Sequence, residues 1–343
     1  MSANTANANA GSWLSAHGRL WYDDRRYRIA WIVWPQAVGL LLFVSLWLFH
    51  PGGQGFIPWA KPVAETPGKA PPAPAPVKEP APPPVVQQPA EMLAPCKSGE
   101  PAEIIQACTS LLASGNLRGN DIPNAYWHRG AAYFSNKQYQ LALNDYDRAI
   151  AIAPRVPEFY NDRGVTWINL ENNDRAMQDF DQALLLKPDY ALAFENRGIT
   201  LINLKRPNEA LYALSKAIEL DPTLWLAFGY RASIYEERSD WRAMYDDAKK
   251  LIELAPNYRM GYEYRGRAYL EVGQQQAAIA DFSKAISIDP DAIYGYSMRG
   301  RAYYFLNQFD SAMADFQAAL RIDPNDSDTI SYINDLRRKQ RGR

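Results

Sequence analysis

The sequence predicts an all-α superhelical solenoid of six 34-residue helical hairpins, and three observations carry that prediction. Pro154, Pro188, Pro222, Pro256, Pro290 and Pro324 stand 34 residues apart without a slip, a period typical of stacked helical units. Between the prolines, small residues recur in matching places, and so does one column of aromatics. No single unit can bury these columns, so neighbours must stack, and stacked units present a concave surface suited to holding other macromolecules.

The chain before the repeats divides into three segments. Residues 1–28 open with a small polar run, Ser2 to Ala10, that offers little to offset the entropy of ordering. Residues 29–49 carry no charge and are long enough to cross a bilayer, which takes about 20 apolar residues. Trp31, Trp34, Trp47 and Trp59 suit the two interfacial zones, and Arg19, Arg25, Arg26 and Arg28 outnumber the basic residues that follow the span. The positive-inside rule then puts the N-terminus in the cytoplasm and everything after Phe49 outside. The competing reading is a cleaved signal peptide, but this apolar core exceeds the usual ~15 residues and no small-x-small cleavage site follows it.

Residues 50–95 are dominated by proline and alanine, as in Pro71-Pro72-Ala73-Pro74 and Pro82-Pro83-Pro84. Proline lacks a backbone donor and restricts its predecessor. The segment is therefore expected as an extended spacer, reaching on the order of 140 Å at about 3.1 Å per residue. It reads as a stalk, against the plainer reading of an indifferent tether and the rarer one of a proline-motif ligand. Cys96 and Cys108 are the only cysteines. Two thiols without nearby histidine cannot make a closed zinc site, so no metal is expected. In an exported domain they would form a disulfide; two free thiols are the alternative.

The repeats run 123–156, 157–190, 191–224, 225–258, 259–292 and 293–326. Aromatics fill one column: Tyr126, Tyr160, Phe194, Phe228, Tyr262 and Tyr296. Small residues fill the next, Gly130, Gly164, Gly198, Ala232, Gly266 and Gly300, and a third runs Ala142, Ala176, Ala210, Met244, Ala278 and Ala312. Small residues on successive helices let their axes approach, which makes each unit a hairpin that its proline then ends. Arg129, Arg163, Arg197, Arg231, Arg265 and Arg299 precede the small column, and Asp145, Asp179, Asp247, Asp281 and Asp315 recur on the second helices, with Ala213 the exception. Repetition in every unit suits a packing ladder of ion pairs better than a ligand site. Residues 96–122 read as a capping half-repeat, and 327–343 as a polar capping helix with a basic tail.

These columns resemble the tetratricopeptide repeat family over 123–326, departing where arginine replaces the usual leucine before glycine. Unit 225–258 is the weakest match, with Ala232, Met244 and Ala248. The resemblance implies that the first helices line a groove for a protein or peptide, projecting it onto Trp127, His128, Phe134, Asn161, Asn169, Asn196, Asn203, Glu236, Glu237, Glu263, Arg267, Glu271, Arg301 and Tyr304. The asparagines would bond an extended backbone and the central glutamates would favour a basic ligand. Where family members clamp the carboxylate of chaperone tails, this chain has Trp127, Ala131, Asp162, Leu192 and Asn196, without the basic residues.

Composition and motifs exclude other classes. Lys plus Arg number 37 against 38 Asp plus Glu, a net charge of -1, which gives no field for nucleic acid. The histidines, 17, 50 and 128, build no triad, and no phosphate loop is present. The expectation is a scaffold rather than an enzyme, without cofactor. It would be anchored by a single pass in the inner membrane, with its repeats in the periplasm among envelope proteins. A sensor that signals through the N-terminal segment is the alternative.

Overall fold

The structure, a computed structural model, describes residues 93–341. Segment 1–28, the expected span 29–49 and nearly all of the 50–95 linker lie outside the described residues. Among those described, no helix is long and apolar enough to cross a membrane, and all the regular structure is helical.

A short α1 (Ala94–Lys97) and α2 (Pro101–Ser114) form the N-terminal cap. Six hairpins follow: α3 (Asp121–Ser135) with α4 (Tyr139–Ile152), α5 (Pro157–Asn169) with α6 (Asn173–Leu186), and α7 (Ala191–Asn203) with α8 (Pro207–Leu220). The last three pair α9 (Trp225–Glu237) with α10 (Trp241–Leu254), α11 (Arg259–Glu271) with α12 (Gln275–Ile288), and α13 (Ile293–Phe305) with α14 (Phe309–Ile322). Helix α15 (Ser327–Arg341) closes the array. The folded part begins ahead of Cys96, because Leu93 is buried in one apolar cluster with Cys96, Ile104, Cys108 and Leu117.

Local chemistry sets the helix ends. Glu100 and Glu103 form a capping box at the start of α2, which satisfies two otherwise orphaned donors. Proline opens α2, α5 and α8, where its missing N–H costs nothing. Asn172 and Asp240 accept the backbone N–H groups of Arg175 and Ala243 at 3.1 Å. Inside each hairpin one residue takes the left-handed conformation: Lys137, Glu171, Lys205, Ser239, Gly273 and Asn307, with φ from 56 to 79°.

Volume is matched across each hairpin. A Cβ on Gly164 would lie 2.7 Å from the Phe180 ring, so the absent side chain is what lets Phe180 pack fully buried. In unit 225–258 both partners change together. Ala232 adds a methyl where Ala248 removes a ring, and Met244 fills the same buried cluster. The unit that departs most from the repeat pattern is therefore compensated in volume, the kind of exchange cores tolerate best.

First helices of successive units touch each other as an inner row, with the second helices outside them. The arginine column locks the rows together. Arg129, Arg163, Arg231, Arg265 and Arg299 each fork onto the aspartate of their own second helix, with Nε and Nη2 donating at 2.6–2.9 Å. The same guanidinium reaches back one unit: Arg163 to Asp147 at 2.6 Å, Arg231 to Ser215 at 3.0 Å and Arg299 to Ser283 at 2.9 Å. Arg129 reaches Thr109 of the cap at 3.0 Å. Arg197 faces Ala213 and makes the backward bond, to Asp181 at 2.8 Å. Lys249 stands where Arg265 would find its backward partner. These five forked arginines also lie 5.5–5.8 Å from the ring centroids of Tyr126, Tyr160, Phe228, Tyr262 and Tyr296, a cation–π contact.

Asp179→Ala would leave the largely buried Arg163 guanidinium without its fork and is expected to cost about 3 kcal/mol. Asp181, 57% exposed in its pair with Arg197, should cost no more than about 1 kcal/mol when replaced by alanine. Urea denaturation followed by circular dichroism compares them; equal losses would remove burial of the ladder as the source of its strength.

Candidate functional site

The inner row gathers the expected groove residues into two networks. In the N-terminal half, Asn196 donates from Nδ2 to Asn161 Oδ1 at 3.0 Å, and Asn161 donates to Asp162 Oδ1 at 3.1 Å. Trp127 donates from Nε1 to the other Asp162 oxygen at 2.7 Å. One hydrogen-bonded chain thus runs across three first helices, α3, α5 and α7. Asn169 turns back onto the Val165 carbonyl at 3.0 Å, and Asn203 reaches Asn173 at 3.4 Å. Phe134, expected on the groove, is instead buried beside Ala142 and Tyr146, with Tyr139 at 5.5 Å between centroids.

The C-terminal half is charged. Tyr294 donates to Glu236 at 2.9 Å, a bond between units two apart in the array. Glu263 is buried and held by Arg259 at 2.6 Å. Arg267 pairs with Glu271 at 3.1 Å, and Arg301 approaches the same carboxylate at 3.8 Å. Tyr304 donates to Asp335 and accepts from Lys339, both on α15. Glu237 is exposed. Burial raises the pKa of Glu236, an effect that the Tyr294 bond and Arg267 partly offset.

Several participants escape a reading of single residue types. Asp162 and Tyr294 take part because superhelical stacking brings residues about one or two repeats apart into contact, a spacing visible in the 34-residue register but not in any local motif. In the cap, Cys96 and Cys108 are fully buried with Cα atoms 5.2 Å apart, inside the roughly 4.4–6.8 Å that a disulfide spans.

Two inner-face groups titrate away from their ordinary range. Burial pushes Asp162 up from 3.8 to about 7, against the lowering effect of the Trp127 and Asn161 hydrogen bonds. Burial, with the charge of Lys97, pushes His128 down from 6.5 to about 4. An acid with a raised folded pKa holds its proton more tightly when folded, so Asp162 favours the fold at low pH and loses that contribution as pH rises to about 7. His128 acts oppositely: its contribution is complete above 6.5 and is lost as pH falls to about 4. His128→Asn is therefore expected to make the melting temperature fall more steeply with rising pH than in the parent. Asp162→Asn should make it rise. Thermal melts across pH 4–7 read the two slopes, and unchanged slopes in both variants would contradict the assignment.

Family profiles described as tetratricopeptide repeat match residues 130–189, 191–224 and 293–326, and one described as TPR repeat matches 266–306. Among solved structures, PilW, a widely conserved type IV pilus biogenesis factor, is 20% identical with a TM-score of 0.55, covering 63% of this chain and 100% of that one. The APC/C hetero-tetramer Cut9-Hcn1 is 12% identical with a TM-score of 0.55, covering 69% of this chain and 53% of that one. MamA is 27% identical with a TM-score of 0.44, covering 47% of this chain and 94% of that one. No match to a curated protein was found. Repeat register, hairpin packing and these profiles agree, and the chain belongs to the tetratricopeptide repeat family.

Proposed function

We propose that this tetratricopeptide scaffold binds proteins or peptides of the cell envelope in the groove of its first helices. Residues 29–49 would hold it in the inner membrane, and the proline-rich stalk would set its reach into the periplasm. The observation that carries the binding role is the inner row itself: its six first helices are fixed by the arginine ladder, and four of them, α3, α7, α9 and α13, carry Trp127, Asn196, Asn203, Glu237 and Arg301. Preformed recognition avoids the ordering cost that a flexible binder meets on association. The apolar span and the arginines before it support the address, and the Cys96–Cys108 pairing suits an oxidising compartment.

A photo-crosslinking residue placed at Asn203 or Glu237 in cells is expected to capture partners, while one at Leu185, 74% exposed on a second helix, captures none of them. Capture from Leu185 alone would move the binding surface to the outer row. Deleting residues 1–28 should leave capture intact; signalling that requires them would favour the sensor reading instead.

A reporter fused after Arg343 tests the address, with activity expected only from a reporter that works outside the cytoplasm. Native protein should then show no free thiol until reduced, and Cys108→Ala should cost on the order of 2–3 kcal/mol. Cytoplasmic reporter activity would overturn the localisation, and free thiols in the native protein would overturn the disulfide.

A further inference from the structure

Oxidation of a methionine ordinarily harms a protein, because the sulfoxide sets a polar, chiral group among apolar neighbours. Met298 has different surroundings. Its sulfur accepts from Nη1 of Arg267 at 3.4 Å and from Nη1 of Arg301 at 3.3 Å, and a thioether is a weak acceptor for a charged donor. The two arginines belong to successive first helices, α11 and α13. The rings of Trp241 and Tyr332 lie against their guanidinium groups at 5.6 and 5.5 Å, and such stacking holds both planes in place. Glu271 approaches the Nη2 atoms, at 3.1 Å from Arg267 and 3.8 Å from Arg301, while both Nη1 atoms are turned to the sulfur. In the 34-residue register Met298 occupies the column of Asp162 and Asn196, where the N-terminal half sets polar side chains across adjacent first helices. Met298 is partly exposed, whereas Met177, Met244 and Met260 are buried; among the described residues, Met313 is the other partly exposed methionine.

We propose that Met298 is an oxidation site whose sulfoxide oxygen is bound by Arg267 and Arg301, so that the modification ties the first helices of the last two units together. The oxidant is a hydroperoxide, of which hydrogen peroxide is the smallest. A sulfur lone pair attacks one peroxide oxygen, and the S–O bond forms as the O–O bond breaks. Sulfur is oxidised by two electrons and the peroxide is reduced; the displaced hydroxide takes the proton carried by the transferred oxygen and leaves as water. The new oxygen accepts charge-assisted hydrogen bonds, which are roughly twice as strong as neutral ones, from donors that before met sulfur. A sulfoxide reductase reverses the step, removing the oxygen as water while two thiols become a disulfide. The modification is independent of the scaffold role, and neither requires the other.

Full-length chain in detergent would be exposed to graded hydrogen peroxide, with each methionine followed by peptide mass spectrometry. Met298 is expected to gain one oxygen before Met177, Met244 and Met260 do, with the helical circular dichroism unchanged. Two substitutions separate the bridge from simple exposure, because glutamine carries an oxygen where the sulfoxide would and leucine carries none. Met298→Gln is expected to melt about 2–4 °C above Met298→Leu. Met313 packs in an apolar cluster with Phe309 and Leu320, so Met313→Gln should melt below Met313→Leu. Removing donors in Arg301→Leu is expected to abolish the difference between glutamine and leucine at 298; should that variant lose its helical signal, Arg267→Leu gives the same test. The proposal is overturned if Met298 stays reduced at a dose that oxidises the buried methionines, or if Met298→Gln melts no higher than Met298→Leu. A difference that survives loss of the arginine donors overturns it equally.

Discussion

A guanidinium that forks onto the aspartate of its own hairpin and reaches back to the preceding one holds three helices in a single geometry. Burial gives the contact its weight: Asp145, Asp179 and Asp247 are each about 5% exposed, and a carboxylate at that depth is tolerable only while its partner stays forked to it. The small-residue column is part of the same device. Arg163 reaches Asp179 because Gly164 lets the two helices close on the Phe180 ring, so the charged and apolar columns depend on one approach distance.

The inner row inherits its rigidity from this lock. With the hairpins fixed to one another, polar side chains on successive first helices meet at repeatable distances and pair among themselves, as Trp127, Asp162, Asn161 and Asn196 do. A partner entering that half must exchange bonds that already exist, which favours specificity over strength. The other half is built differently. It pairs charges, as Arg259 does with Glu263 and Arg267 with Glu271, and sets Arg267 and Arg301 against the sulfur of Met298 and the rings of Trp241 and Tyr332.

Most of the fold was legible because its determinants repeat. Hairpin packing and the arginine–aspartate pairs follow from columns that recur every 34 residues, and a single chain supplies five or six copies of each signal. The groove was legible only as a face. Phe134 sits in a groove position by register yet turns into the hairpin beside Tyr139, and Glu263 is taken by Arg259 one helical turn earlier. The backward branch of the ladder depends on the angle between units, which no column states; only the structure shows Arg163 choosing Asp147 as well as Asp179. The buried cluster of the cap reaches back to Leu93, a single apolar side chain behind a proline-rich tract whose composition masks it.

The hairpin turns carry a separate consequence. Lys137, Glu171, Lys205 and Ser239 occupy a left-handed conformation with φ of 56–60° that costs an ordinary L-residue roughly 1–2 kcal/mol. All four are exposed, and unit 259–292 meets the same need with Gly273. A domain is held together by only about 5–15 kcal/mol in all. Each turn therefore carries strain that glycine would relieve, as Gly273 already does, and replacing these four residues by glycine would add stability without altering a ladder pair or a groove side chain.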